Sequence, residues 1–301
     1  MSTDLITVSD KNTIGGTVRE FIWNWENKQI KVQYECLGNG SPLLLLPAFS
    51  TVSMRSEMAG IAKLLAPYFQ TIAVDFPGFG ESSRLGIEYN RVLFSQFLKD
   101  FVNSVFDTPV TAISAGHSCT YVLKLAQEQP SLFSRIVLIA PTWRGPLPTM
   151  GANKSIAVMV KNLVRTPIIG QILYKLNTTP SFLSLMYRRH VYTDPEKLTP
   201  EFIDYKWHNT QKTGARFAPA AFVTGNLDAV DSRDEFLGLV RNLSIPLMVA
   251  IAQSSPPKSL AEMEAISALP NVESVKISGS LGMHEEYPQI IVDEILPFLN
   301  R

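Results

Sequence analysis

Five residues, Gly116-His117-Ser118-Cys119-Thr120, place a serine hydroxyl between a strand-like run at 110–114 and a helix-period segment that begins at Tyr121. A nucleophile at such a junction sits on a sharp turn with a strained backbone. Its neighbours two residues away on either side must be small, and its side chain then rises above the sheet over a helix N-terminus. The chemistry would be attack of Ser118 on a carbonyl carbon. A serine hydroxyl needs a base to do this, and the chain has four histidines, His117, His190, His208 and His284. His117 lies inside the turn itself, His190 and His208 fall in a helical stretch, and His284 follows the last predicted strand. A tight strand-to-helix turn without chemistry would read the same way at this spot.

The elements that must hold these residues follow from hydrophobic periodicity. Residues 19–25 alternate, with Phe21, Trp23 and Trp25 on one face, and residues 29–36 alternate again through Ile30, Val32, Tyr34 and Cys36. With Glu26-Asn27-Lys28 between them, this is a hairpin pattern. Short continuous apolar runs follow at 42–46, 71–74, 110–114, 136–140, 246–252 and 275–277, separated by helix-period stretches such as 89–106 and 121–128. Runs of this kind are strands buried on both faces of a parallel sheet. The expectation is an α/β protein: a doubly wound, mostly parallel sheet preceded by an antiparallel hairpin.

Residues from about 145 to about 235 carry helical stripes and no strand pattern. One stripe is Ile156, Met159, Val160, Leu163 and Val164, and another is Ile168, Ile169, Ile172, Leu173 and Leu176. The segment reads as a helical cap inserted between two strands of one domain spanning 1–301. Ordinary core helices would give the same stripes. A basic amphipathic helix carrying Lys161 and Arg165 is also a form that makes peripheral membrane contact.

The 301 residues include 46% apolar side chains, enough for one large core. Lys plus Arg and Asp plus Glu are equal at 27 each, so no basic footprint for nucleic acid exists at the level of the whole chain. Cys36 and Cys119 form no disulfide framework, and residues 1–11 lack the apolar stretch of a signal peptide. The apolar runs are too short to cross a bilayer. A soluble cytoplasmic protein is expected. Phosphate-loop, C-x-x-C and H-E-x-x-H patterns do not occur.

Three segments together resemble the α/β-hydrolase fold superfamily, serine-esterase type with a helical cap. Gly116-His117-Ser118 resembles its G-x-S-x-G elbow, with Thr120 in the place of the last glycine. Asp75-Phe76-Pro77-Gly78-Phe79-Gly80-Glu81-Ser82 is similar to its D-x-P-G-x-G-x-S loop. Leu45-Leu46-Pro47-Ala48-Phe49 occupies the place of its His-Gly oxyanion loop, with Pro47-Ala48 for His-Gly. The resemblance implies Ser118 as nucleophile and His284 as base. It implies the backbone N–H groups of Phe49 and Cys119 as the oxyanion hole. In the family's loop before the final helix the base usually sits where Leu281 or Gly282 stands here, and His284 also matches a second, non-catalytic histidine. The acid expected after strand 246–252 is replaced by Ser255. Glu262 or Glu264 downstream, or Asp228 or Asp231 at the end of the cap, are the candidates to orient the base.

The resemblance implies hydrolysis of a carboxylic ester through an acyl-enzyme, without metal or organic cofactor. A small hydrophobic ester suits the apolar cap, and Tyr187-Arg188-Arg189-His190 is either a solvated helix face or a site for an anionic headgroup. Two other functions remain open at this point. One is a non-catalytic member that binds a ligand or partner, as the departures at Pro47-Ala48, Ser255 and His284 would allow. The other is a lyase or acyltransferase on the same fold.

Overall fold

Antiparallel strands β1 (Thr17–Trp25) and β2 (Lys28–Leu37) form the predicted hairpin. Its two-residue turn has positive φ at both Glu26 (44°) and Asn27 (63°), the backbone that matches the twist of the flanking strands. The structure, a computed structural model, describes residues 12–301. The expectation about a signal peptide at residues 1–11 lies outside them.

The remaining strands are β3 (Pro42–Leu46), β4 (Gln70–Val74), β5 (Val110–Ala115), β6 (Phe133–Ile139), β7 (Leu247–Ala252) and β8 (Val272–Ile277). The eight-stranded sheet has the order β1-β2-β4-β3-β5-β6-β7-β8. β1–β2 and β2–β4 are antiparallel, and every later pairing is parallel. All residues of β5 and β7 are buried, which is why they read as unbroken apolar runs. The edge strand β8 leaves Glu273, Ser274 and Lys276 exposed, so only its end was visible as an apolar run.

The helices are α1 (Ala59–Leu65), α2 (Arg91–Val105), α3 (Ser118–Glu128), α4 (Pro146–Thr149), α5 (Lys154–Arg165), α6 (Ile169–Leu176), α7 (Pro180–Met186), α8 (Pro200–Thr210), α9 (Phe217–Val223), α10 (Arg233–Arg241), α11 (Pro257–Ser267), α12 (Met283–Glu286) and α13 (Pro288–Leu299). α2 shows how such a helix is specified. Asn90 caps it by accepting the Leu93 amide at 3.0 Å, and Leu93, Phe94, Phe97, Leu98 and Phe101 bury one face on the sheet. Seven of these helices, α4 to α10, lie between β6 and β7, and no strand interrupts them.

One buried charge cluster ties the early strands together. Arg55, in the 3₁₀ turn Arg55–Met58, pairs with Asp75 at the end of β4 and reaches Glu35 of β2 at 3.1 Å. Glu35 also accepts the amides of Ile14 and Gly16, and Asp75 accepts those of Arg55 and Glu81. Gly80 lies so close to Asp75 that a Cβ there would sit 2.0 Å from Oδ1. Glycine in this loop serves the buried carboxylate.

Candidate active site

The loops and helices that follow β3, β5, β7 and β8 carry all the site residues predicted from sequence except Asp228 and Asp231, which come from the end of the helical insertion. Their geometry begins with the turn after β5. The backbone turns at Gly116, where φ is +57°, and His117 is already helical at φ −73° and ψ −26°. Ser118 is the first residue of α3. Among the described residues the non-glycine positions with positive φ are Glu26, Asn27 and Ala140.

The sequence reading puts Ser118 on the strained apex. In the structure it stands two residues further on, fully buried, with Oγ 2.8 Å from the Ala115 carbonyl and 2.7 Å from Ser114 Oγ. The physical reason is steric. With Gly116 at the apex, the flanking small residues are Ser114 and Ser118, which pack against each other inside the turn. Thr120, too branched for that role, becomes an ordinary helix residue whose Oγ1 donates to the Thr142 carbonyl at 3.2 Å. A Cβ at Gly116 would lie 2.9 Å from Ala48 Cβ. The Ala48 methyl therefore occupies the space into which an apex side chain would grow.

His284 lies in α12 and is buried. Its Nε2 is 3.5 Å from Glu57 Oε2, while Nδ1 has no hydrogen-bond partner. No hydrogen bond joins it to Ser118, whose Oγ contacts are Ser114, Ala115 and, at 3.5 Å, the Leu46 carbonyl. The expected carboxylates are engaged elsewhere. Asp228 Oδ1 is 3.2 Å from His117 Nε2 and accepts the Gly145 amide at 2.8 Å. Asp231 pairs bidentately with Arg91, Glu262 pairs with Arg233 at 2.8 Å, and Glu264 faces Lys276 at 3.6 Å. Ser255 Oγ is buried without a partner.

Of the two expected oxyanion donors, the Cys119 amide has a structural occupation. The Cys119 amide donates to the Gly116 carbonyl at 3.4 Å, and Cys119 Sγ lies 3.1 Å from the Ser114 carbonyl. Burial pushes the Cys119 thiol up to about 12. Phe49 is buried, and its ring stacks on Phe79 at 5.6 Å and meets Phe76, Phe94, His117 and Tyr121. This aromatic cluster reaches the turn through the contact of Phe49 with His117. A cleft of about 220 Å³ opens between Trp143, Arg144, Thr149, Lys258 and Glu262, and neither Ser118 nor His284 lines it.

Sequence reasoning missed the group that does surround His284. Glu57 is buried in the 3₁₀ turn after β3, and fully buried Lys206 of α8 lies 3.5 Å from Glu57 Oε1 and 2.8 Å from Glu285 Oε1. Burial alone would lower the Lys206 ammonium, but Glu285, Tyr187 and Glu57 more than reverse this and hold it well above the ordinary lysine value. Glu57 belongs to no motif, so no sequence pattern marked it.

A model of the alpha/beta hydrolase family matches residues 43–294. Among solved structures, the chain is similar to an esterase from Thermogutta terrifontis at TM-score 0.72 and 19% identity, covering 95% of this chain and 98% of that one. It is similar to a bromoperoxidase from Bacillus anthracis at TM-score 0.72 and 17% identity, covering 94% and 100%. A haloalkane dehalogenase variant from Agrobacterium tumefaciens C58 has TM-score 0.71 and 17% identity, covering 96% and 99%. No curated protein matches the chain. The activities of these structural neighbours differ while the architecture is shared, so the likeness is one of fold.

Proposed function

Since the chain belongs to the alpha/beta hydrolase family, we propose that it is a member that does not form an acyl-enzyme and acts by binding a ligand or partner. The observation that carries this reading is Gly116 at the apex of the strand-to-helix turn, with φ +57° and the Ala48 methyl against its Cα side. Nucleophilic catalysis needs a side chain at that apex, a base within hydrogen-bond reach and an orienting group behind it. Three further observations support the proposal. Ser118 Oγ bonds back to Ser114 and Ala115, the imidazole of His284 faces Glu57, and Ser255 supplies no carboxylate after β7.

The test is covalent labelling. A fluorophosphonate should leave Ser118 unmodified in the intact protein by mass spectrometry, and p-nitrophenyl esters should release acid no faster with protein than without. An adduct on Ser118, absent from Ser118→Ala, would sink the proposal.

The competing reading is a hydrophobic-ester hydrolase that uses Ser118 and His284. Family membership and the strand–Gly-His-Ser–helix context favour it. It requires Ser118 to leave its buried contacts and His284 to approach it, and the labelling experiment separates the two.

A further inference from the structure

Helices α5 and α6 are amphipathic, and they are mounted with the apolar side outward. On α5 the exposed residues include Ile156, Met159 and Leu163, which recur at helical spacing. Two of the three cations of the same helix turn toward the body: Lys161 pairs with Glu88 at 2.6 Å, and Arg165 donates to the Ile87 carbonyl at 2.7 Å. On α6, Ile169, Ile172 and Leu176 are exposed, while Gly170 and Tyr174 are buried. Ile168, in the bend between the two helices, is 75% exposed. A helix that served only to close the fold in water would bury this stripe and solvate its lysines. This mounting leaves large apolar side chains of both helices exposed, and exposed apolar surface of this kind marks an interaction site.

The charge carried by this part of the chain selects the occupant. No Asp or Glu occurs from Gln129 to Thr193, whereas the insertion carries Lys154, Lys161, Arg165, Lys175, Arg188 and Arg189. Lys154, Lys175, Arg188 and Arg189 are exposed. Lys154 is also the first residue of α5, where a positive charge opposes the helix dipole. Helix stability does not favour that placement; attraction to an anionic surface does.

We infer that the face formed by α5 and α6 docks on an anionic phospholipid bilayer, lying in the interface with its isoleucines and Met159 among the acyl chains and the exposed cations at headgroup level. No single helix among the described residues is long and apolar enough to cross a membrane, and the two helices meet at a bend of 106°. Both facts fit a helix pair that lies on the bilayer. The inference is independent of whether Ser118 is a nucleophile.

Vesicle flotation tests it. The intact protein should float with phosphatidylcholine vesicles containing phosphatidylglycerol and far less with phosphatidylcholine alone. Ile169→Glu with Ile172→Glu should cut partitioning by at least about tenfold per side chain, because each isoleucine loses its apolar burial. Both side chains are exposed, so circular dichroism and the Tm should stay at the wild-type values. Lys154→Gln, Lys175→Gln, Arg188→Gln and Arg189→Gln should remove the preference for anionic vesicles by about fivefold each. The inference fails if wild type floats with neither vesicle, or if the double glutamate variant floats as well as wild type. It also fails if light scattering shows a wild-type dimer that the glutamates abolish without vesicle binding, since a second copy would then cover the face.

Discussion

Ser114 Oγ and Ser118 Oγ lie 2.7 Å apart inside the turn whose apex is Gly116. The pair joins β5 to the first residue of α3 across the turn. Ser118→Ala should therefore lower stability by about 1 kcal/mol through the lost internal hydrogen bonds. It should leave every binding property unchanged. Urea denaturation measures the first effect, and an unchanged midpoint would mean that the pair contributes nothing.

Installing a side chain at the apex should meet Ala48. Gly116→Ser places a Cβ 2.9 Å from the Ala48 methyl on a backbone with φ +57°, so it should destabilise by about 2–4 kcal/mol. Adding Ala48→Gly should recover the steric part of that loss. A double variant no more stable than Gly116→Ser alone would show that the two positions are not coupled.

Lys206 neutralises the buried carboxylate of Glu57 and the partly buried one of Glu285. Lys206→Met should cost about 3–5 kcal/mol at neutral pH, because both acids lose their counter-charge. The lysine is held above its ordinary value in the fold, so its contribution is complete below that value and disappears as pH rises through the folded one. The gap between wild type and variant should hence persist through neutral and mildly alkaline pH. A gap that closed near neutrality would contradict the assignment of charge.

The thiols give an independent check of burial at the turn. Cys119 is fully buried with its thiol raised to about 12, and half-buried Cys36 is raised by burial too. In the folded protein a disulfide reagent at mildly alkaline pH should titrate Cys36 at most, and slowly, with both thiols reacting in denaturant. Fast labelling of Cys119 in the native state would mean that the turn opens.

The sheet was legible because its central strands are apolar on both faces, and the hairpin was legible because Trp23, Ile30 and Val32 point inward at period two. The apex of the turn was not. Two overlapping frames, 114–118 and 116–120, compete for the turn, and the presence of a nucleophilic residue at the centre favours the one centred on serine. Only the φ angle distinguishes them, although Thr120 at a position that demands a small residue was a signal in the right direction. The His284–Glu57 contact was illegible for a different reason. It joins segments from opposite ends of the chain, and a buried acid has no local pattern.

The union of Arg55 with Glu35 and Asp75 bears on how the chain reaches its final form. Each ion comes from a different segment of the first third of the sequence, and each is enclosed by apolar neighbours once in place. An intermediate that docks Glu35 and Asp75 without Arg55 strands bare charge in a dry interior, which is costly. Misaligned pairings of the amino-terminal ribbon are penalised by the same device, so assembly there is expected to be all-or-none, with the ion triplet acting as a proofreader of strand register.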